Sequence, residues 1–482
     1  MPIVDIPIHH GVYKNVDATT DMEKYARSMV NCYCDEGGNV NKSWGLNLFK
    51  DLSAGGFAGL YWWEAKNWLI AVDVTGNVYK VTSSSGSYTN ITGTPLTVTG
   101  NPVVFDANNT YLLMANGDKV SYTNGTATTA FLADPSAYTK VSHVSYLGGF
   151  FALNNDGTQN FQPSDANAIT FTNAQVNQKA QKPDNIIAHI SIPGYLYVFG
   201  TESTEVWTIS TGTSIFTLYY WMDRGLGAVY SIVRADNTIY FLDNTRRFVK
   251  LINNVPQVIS TPYDKDIQSL NTVSDCIGSL TEVDGRPMIM WNFPTEGRTL
   301  VYDFMTNFWH ERNAWSDSLA SFTTYPYQYH AWCPAWGKHI FASNSDGRLF
   351  SASTDYFTES GTRMRTLHLT GNSDYSNNKG VSPGFKTCDW LEVWVKRGYG
   401  NLNTYDSDGN LETPQLMIRF RDDGQDPWSD YIYIDLGAQG DTELKLKVYN
   451  LGRFETRQWE FTTSDPVPYV ITRARMMLTP SY

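Results

Sequence analysis

The chain has little charge, few cysteines, few helix signals and no long apolar run. Its five cysteines, Cys32, Cys34, Cys276, Cys333 and Cys388, are odd in number and irregular in spacing. Cys32 and Cys34 stand too close for an ordinary bridge, and no second close pair completes a zinc site. They read as free thiols of a reducing compartment. Charged residues make up only 17% of the 482 residues, against 42% hydrophobic and 14% aromatic, which excludes a disordered chain. No window reaches the roughly 18 apolar residues of a membrane span, so none is expected. The opening "MPIVDIPIHHGVYKN" lacks the basic region and apolar core of a signal peptide, and synthesis in a cytoplasm without export is the expectation.

Chemistry-bearing motifs are missing too. There is no HExxH, no nucleophile-elbow GxSxG, no Walker loop and no EF-hand loop, and the eight histidines show no paired ligand spacing. No enzyme activity, cofactor or metal is expected. The stretches "SNSDGRLF" and "FRDDGQDPW" approach the Asp-box of sialidases, but Asp and Gly are adjacent in each, and no arginine triad accompanies a tyrosine. A glycan-binding propeller or sialidase-like hydrolase is the alternative reading. Glu202 and Glu205, three apart in "FGTESTEVW", read as solvated residues of a hairpin tip. The net charge of -12 argues against a sequence-reading DNA binder, which is usually basic.

What the chain does have is repetition. Seven related hairpins begin at Asn67, Thr110, Gly148, Gly194, Asn237, Arg286 and Gly337. Each has an almost continuous apolar run, a polar turn and a second run of aromatic or branched residues. The turn markers Gly76, Gly117, Gly157, Ser203, Asn244, Gly297 and Gly347 recur about every 45 residues, the length of one four-stranded propeller blade. A continuous apolar run suits a strand covered on both faces, as in a ring of sheets. The sequence thus predicts an all-β fold with a seven-bladed β-propeller over 46–370. The Gly-rich segment before Asn67 is strand-like and suits an outer strand that closes the last blade. Residues 1–45 form an N-terminal arm, in which "TTDMEKYARSMVNCY" from Thr19 reads as one short helix or an extended arm.

After the polar stretch Thr370 to Phe385 the pattern changes. Six runs alternate strictly; Leu391, Val393 and Val395 oppose Glu392, Trp394 and Lys396, for example. Alternation means one buried and one wet face, so 383–482 is read as a C-terminal antiparallel β-sandwich.

Three stretches carry a family resemblance. "IRFRDDGQDPWSDYIYIDLG" with "YNLGRFETRQWEFTTSDPVPYVITRARM" supplies Asp423, Gly424, Trp428, Leu451, Gly452, Arg453, Arg457, Phe461 and the Ser464–Pro468 turn. "QKPDNIIAHISIPGYLYVFGTESTEVW" lies in the centre, and "MPIVDIPIHHGVYKN" at the start. Together they resemble the packaged-DNA stabilisation, or tail hub and nozzle, proteins of short-tailed bacteriophages (podoviruses). Gln425 departs from the family's second glycine. The resemblance implies a virion tail protein, assembled in the bacterial host cytoplasm, that retains packaged DNA and forms its exit channel. It implies a homohexamer below the portal and adaptor ring, with a tail needle or tip plug, and tail fibres or spikes, as further partners. Contact with packaged double-stranded DNA would be transient and non-specific, and an acidic lumen would let the duplex slide.

Two groups are candidate interfaces. One is Arg453, Arg457, Arg473 and Arg475 near the C-terminus, with surface ion pairing as the plainer role for Arg453 and Arg457. The other is the aromatic loop with Tyr325, Tyr327, Tyr329, Trp332 and Trp336, because such a run is costly to leave in water.

Overall fold

The computed structural model describes residues 2–480 apart from 17–23, 126–129, 132–137, 139, 172–174, 211, 398–412, 425–426 and 438–442. The described residues are nearly all strand and turn, with a single short α-helix, Asp264–Gln268. Part of the segment from Thr19 lies outside them, and the rest of it forms the strands Ala26–Val30 and Cys32–Cys34.

Each of the seven hairpins forms the middle two strands of a four-stranded antiparallel meander. The meanders begin with Phe57–Trp63, Val104–Ala107, Val144–Leu147, Ile186–Ile192, Val233–Ala235, Ile277–Val283 and Tyr329–Cys333. In the seventh, three strands come from 329–353 and the fourth is Gly45–Ala54, which pairs antiparallel with Gly347–Ser353. The first and last parts of the array are thereby stitched together by backbone hydrogen bonds, as the strand-like segment before Asn67 predicts.

The continuous apolar runs now have a physical reason. In the first meander Ile70 and Val72 pack against Leu112 and Met114 of the second, while Leu69 and Ala71 pack against Ile340 and Leu349 of the seventh. Alternate side chains of one strand fill two different cores, so both faces must be apolar. The same division runs round the array: Leu113 shares a core with Leu153, Phe161 with Leu196, Phe199 with Phe241, Phe248 with Trp291, and Met290 with Phe341. Phe248 and Trp291 stack with ring centres 4.0 Å apart, and Trp309 stacks on Trp291 at 5.6 Å. Each such pair contributes about 0.5–1.5 kcal/mol beyond the area it buries.

Turn chemistry repeats with the sheets. Asp73 ends a second strand, and its Oδ1 accepts the backbone N–H groups of Thr75 and Asn77 and the Thr75 hydroxyl. Asp243 does the same for Thr245 and Arg247. An aspartate in this place lets the chain reverse without leaving donors unpaired. Gly76 follows at φ +87°, where an added Cβ would lie 1.9 Å from the Leu96 carbonyl oxygen.

The six alternating C-terminal runs are all strands: Lys386–Lys396, Gln415–Asp422, Ile432–Asp435, Leu444–Tyr449, Arg457–Thr462 and Val470–Pro480. They fall into two sheets with one core between them, to which Leu391 and Val393 contribute from one side and Leu416, Ile418 and Phe461 from the other.

The chain divides less cleanly than the expected boundaries. Residues 1–45 are woven into both C-terminal sheets: Ile3–Asp5 and Val40–Lys42 pair with Val470–Pro480, and Ala26–Val30 pairs with Leu367–Thr370. Leu367–Thr370, placed by the sequence in the propeller, pairs in turn with Arg457–Thr462. Val30 also pairs in parallel with Glu311 at the outer strand of the sixth meander, so one nine-stranded sheet runs from that meander into the C-terminal layer.

Candidate tail interface and axial cavity

The strand Val470–Pro480 presents Arg473 and Arg475 on the outer face of its sheet. Arg473 forms a two-pronged ion pair with Asp5, Nε to Oδ1 at 2.7 Å and Nη2 to Oδ2 at 3.0 Å, and its side chain stays 42% exposed. The guanidinium holds the Asp5 carboxyl below its usual range through hydrogen bonding. Arg475 pairs with Glu392 at 2.8 Å, and Glu392 also accepts the indole N–H of Trp394 at 2.6 Å. Lys445 and Lys447 of the neighbouring strand lie over the rings of Trp394 and Trp390, 4.5 and 4.1 Å from their centres. Four cations, two tryptophans and two carboxylates therefore share one outer sheet face.

Arg453 is exposed and rests over the ring of Phe385 at 4.3 Å. Arg457 corrects the expectation of a surface residue: its side chain is wholly buried between Phe420 and Phe454, 3.9 and 4.2 Å from their ring centres. It lies inside the protomer and has no surface to offer a neighbour. The family-like turn is structural as well. Asp423 and Gly424 both take positive φ, and the Asp423 carboxylate accepts the N–H groups of Glu455 and Thr456. Gln425 lies outside the described residues.

The aromatic loop is largely internal. Tyr325 is fully buried beside Arg312, and Tyr327 packs edge-on to Phe350. Tyr329 begins the first strand of the seventh meander, and Trp336 packs against Phe49 and Trp62. Only Trp332, 42% exposed and stacked on His339 at 4.2 Å, remains a large exposed aromatic of this group. The run is costly in water, and the ring-closing sheet removes most of it.

Glu205, read as a solvated tip residue, is completely buried. It accepts the backbone N–H groups of Ala180 and Gln181 at 3.0 and 2.8 Å and the indole N–H of Trp207 at 3.0 Å. Beside it Lys179 forms a buried ion pair with Asp184, which also accepts from Ser203. These carboxylates hold the meander together and have no room for substrate.

The first strands of all seven meanders line one axial cavity of about 450 Å³. Tyr61, Asp106, Ser191 and Arg234 lie toward one end of those strands, and His143, His189, Tyr230 and Tyr329 also face it. Burial pushes the Asp106 carboxyl up to about 6, although it accepts the N–H of Tyr146 at 2.6 Å. Burial pushes His189 down to about 4. Among the described residues no group of three or more His, Cys, Asp or Glu could hold a metal ion. All five cysteines are free and buried, and no helix of the described residues is long and apolar enough to cross a membrane.

The phage-stabilisation family model, described as bacteriophage P22 Gp10, beta-propeller, matches residues 4–355. The chain belongs to this family. It is a phage DNA-stabilisation protein, a structural component of the virion tail with an all-β propeller fold. No curated protein matches the chain. Among solved structures, one chain of the crystal structure of mitotic checkpoint complex is similar at 11% identity and a TM-score of 0.42, covering 63% of this chain and 91% of that one. The phage-stabilisation match takes in the N-terminal strands and the whole array of meanders, and ends just after the closing strand Gly347–Ser353.

Proposed function

We propose that this phage-stabilisation protein is the hub or nozzle subunit of a short tail, acting as a rigid, non-enzymatic wall around the DNA exit channel. The seven meanders are seven blades of one propeller, and the C-terminal sheets form a β-sandwich braced by the N-terminal strands. Six copies surround the channel beneath the portal and adaptor ring, with a needle or plug at the far end and fibres or spikes as further neighbours.

The observation that carries this reading is the small size of the propeller's own hub. The hub cavity is filled by bulky side chains from the first strands, among them Tyr61, His189, Arg234 and Tyr329, with Tyr230 beside them. A duplex, whose major groove alone is about 12 Å wide, cannot pass. A DNA conduit must therefore lie between copies, and closed cyclic symmetry supplies one through heterologous contacts. The face bearing Arg473, Arg475 and Trp332's end of the propeller are candidate contact regions. A net charge of -12 favours a lumen that repels phosphate and does not grip it.

The test is DNA retention. Heads assembled without this chain should fill and then lose their DNA to added nuclease, and supplying the chain should restore protection. Fully nuclease-resistant DNA in heads that lack it would overturn the proposal.

A further inference from the structure

Six of the seven outer strands are short or covered. Tyr88–Asn90, Ala130–Phe131 and Asn177–Gln178 span two or three residues, and Val255–Val258 contains Pro256. Trp309–Glu311 is joined by Ala26–Val30, and Gly45–Ala54 by Thr358–Glu359. These are the ordinary devices that stop a sheet edge from recruiting another strand.

The fourth meander has an edge that is neither short, nor broken by proline, nor covered, although its outer strand carries a bulge at Tyr219, between the pairs Val206–Tyr220 and Trp207–Leu218. Its outer strand Phe216–Met222, "FTLYYWM", runs for seven residues and pairs only with Thr204–Ile209. Among the described residues, its backbone between Thr217 and Trp221 makes no hydrogen bond beyond that pairing. It contains no proline and no charge. Tyr219, Tyr220 and Trp221 are 57%, 43% and 41% exposed, so apolar surface projects on both faces.

We propose that this edge accepts an extended, uncharged, apolar strand from a different protein chain of the tail, which adds as a fifth strand to the fourth meander. The backbone groups determine the partner's conformation, because a row of open N–H and C=O groups is matched by another strand. Charge determines its composition. The edge has no cation to attract a polyanion, and the next residue, Asp223, is already neutralised by Lys182. Nucleic acid is thus a poor fit and an uncharged segment is complementary, whereas a second copy offering the same strand would pair with it about a two-fold axis, which the heterologous contacts of a closed ring lack. Aromatic side chains on both faces give such a strand pockets at alternate positions.

The proposal rests on the reading of the chain as a tail component. Hydrogen exchange, resolved to single amides, compares the full chain free in solution with the chain in purified particles. Outward-facing amides between Thr217 and Trp221 should slow by at least tenfold in the particle. Tyr220→Lys, which places a charge on the edge, should leave the free chain's unfolding temperature unchanged and cut its incorporation into particles by at least tenfold. Equal exchange in both states, or normal incorporation of the Tyr220→Lys chain, overturns the proposal and leaves the tail reading intact. Protection already present in the free chain and lost on dilution shows self-pairing and also overturns it. Absence of the wild-type chain from particles overturns the tail reading and the proposal with it.

Discussion

Arg457 Nε donates to Asp422 Oδ1 at 2.6 Å while its Nη2 donates to Oδ2 at 2.7 Å, and the arginine side chain has no solvent exposure. The pair spans two strands of the C-terminal layer, and the guanidinium plane is sandwiched by Phe420 and Phe454. Lysine cannot supply two parallel donors or a planar cation between rings.

Arg457→Lys should therefore destabilise the protein almost as much as Arg457→Ala. Breaking a buried pair costs about 3–5 kcal/mol; the 27% exposure of Asp422 puts the expected loss nearer the lower figure. Denaturant midpoints of the two variants check this, and a lysine variant with wild-type stability would contradict it.

Closure of the array rests on the pairing of Gly347–Ser353 with Gly45–Ala54. A Cβ on Gly347 would lie 2.0 Å from the Ala54 carbonyl oxygen. Gly347→Ala should push these strands apart and lower the unfolding temperature, with faster exchange at the amides of Leu46 to Leu52 before any other strand. Unchanged exchange there would count against the closure.

Burial of Glu205 leads to a third expectation. In Glu205→Ala the N–H groups of Ala180 and Gln181 and the indole of Trp207 lose their acceptor, at about 1–3 kcal/mol for each group left dry. Glu205→Gln keeps one acceptor oxygen and should fall between wild type and alanine. Thermal melts of the three proteins decide it; an alanine variant as stable as wild type would mean that the site is wet.

Acid should weaken the fold before most carboxylates titrate. Burial holds His189, His339 and His368 down at about 4 and His310 at about 3, and pushes His143 and His330 well below the ordinary value. The unfolded chain takes up these protons near pH 6.5, where the folded chain refuses them. Stability from these groups is full above about pH 6.5 and drains as pH falls toward their folded values. Asp106, raised to about 6, and Asp303 and Glu359, which burial also raises, work in the opposite direction, but they are three groups against six. The unfolding temperature should drop by roughly 5 °C or more between pH 7.5 and 5, with a shallower slope for His310→Gln. A flat profile would contradict the burial of the imidazoles.

Much of this fold is legible along the chain because its signals are local. The hairpin from Asn67 shows an apolar run, an Asp-x-Thr-Gly turn and a branched run within fifteen residues, and the structure forms those strands. The alternation of Leu391, Val393 and Val395 likewise marks a one-sided strand. What the sequence hides is pairing across distance. Nothing near Val30 announces its bridge to Glu311, and nothing near Arg457 announces Asp422 or Phe420. Composition also cannot tell whether an aromatic run is an interface or a seam. Tyr325 to Trp336 is mostly a seam, whereas Tyr219 to Trp221, on the strand that follows the hairpin from Gly194, are exposed.

The account stands or falls on several copies of this wheel standing around one channel. Electron cryo-microscopy of the tail isolated with the portal tests that most directly. The account predicts a closed ring of six copies around an opening wide enough for duplex DNA, with each propeller's own axis outside the DNA path and a lumen without a predominance of Lys and Arg. Single copies attached at the tail periphery, with DNA passing through a channel built by another protein, would contradict it.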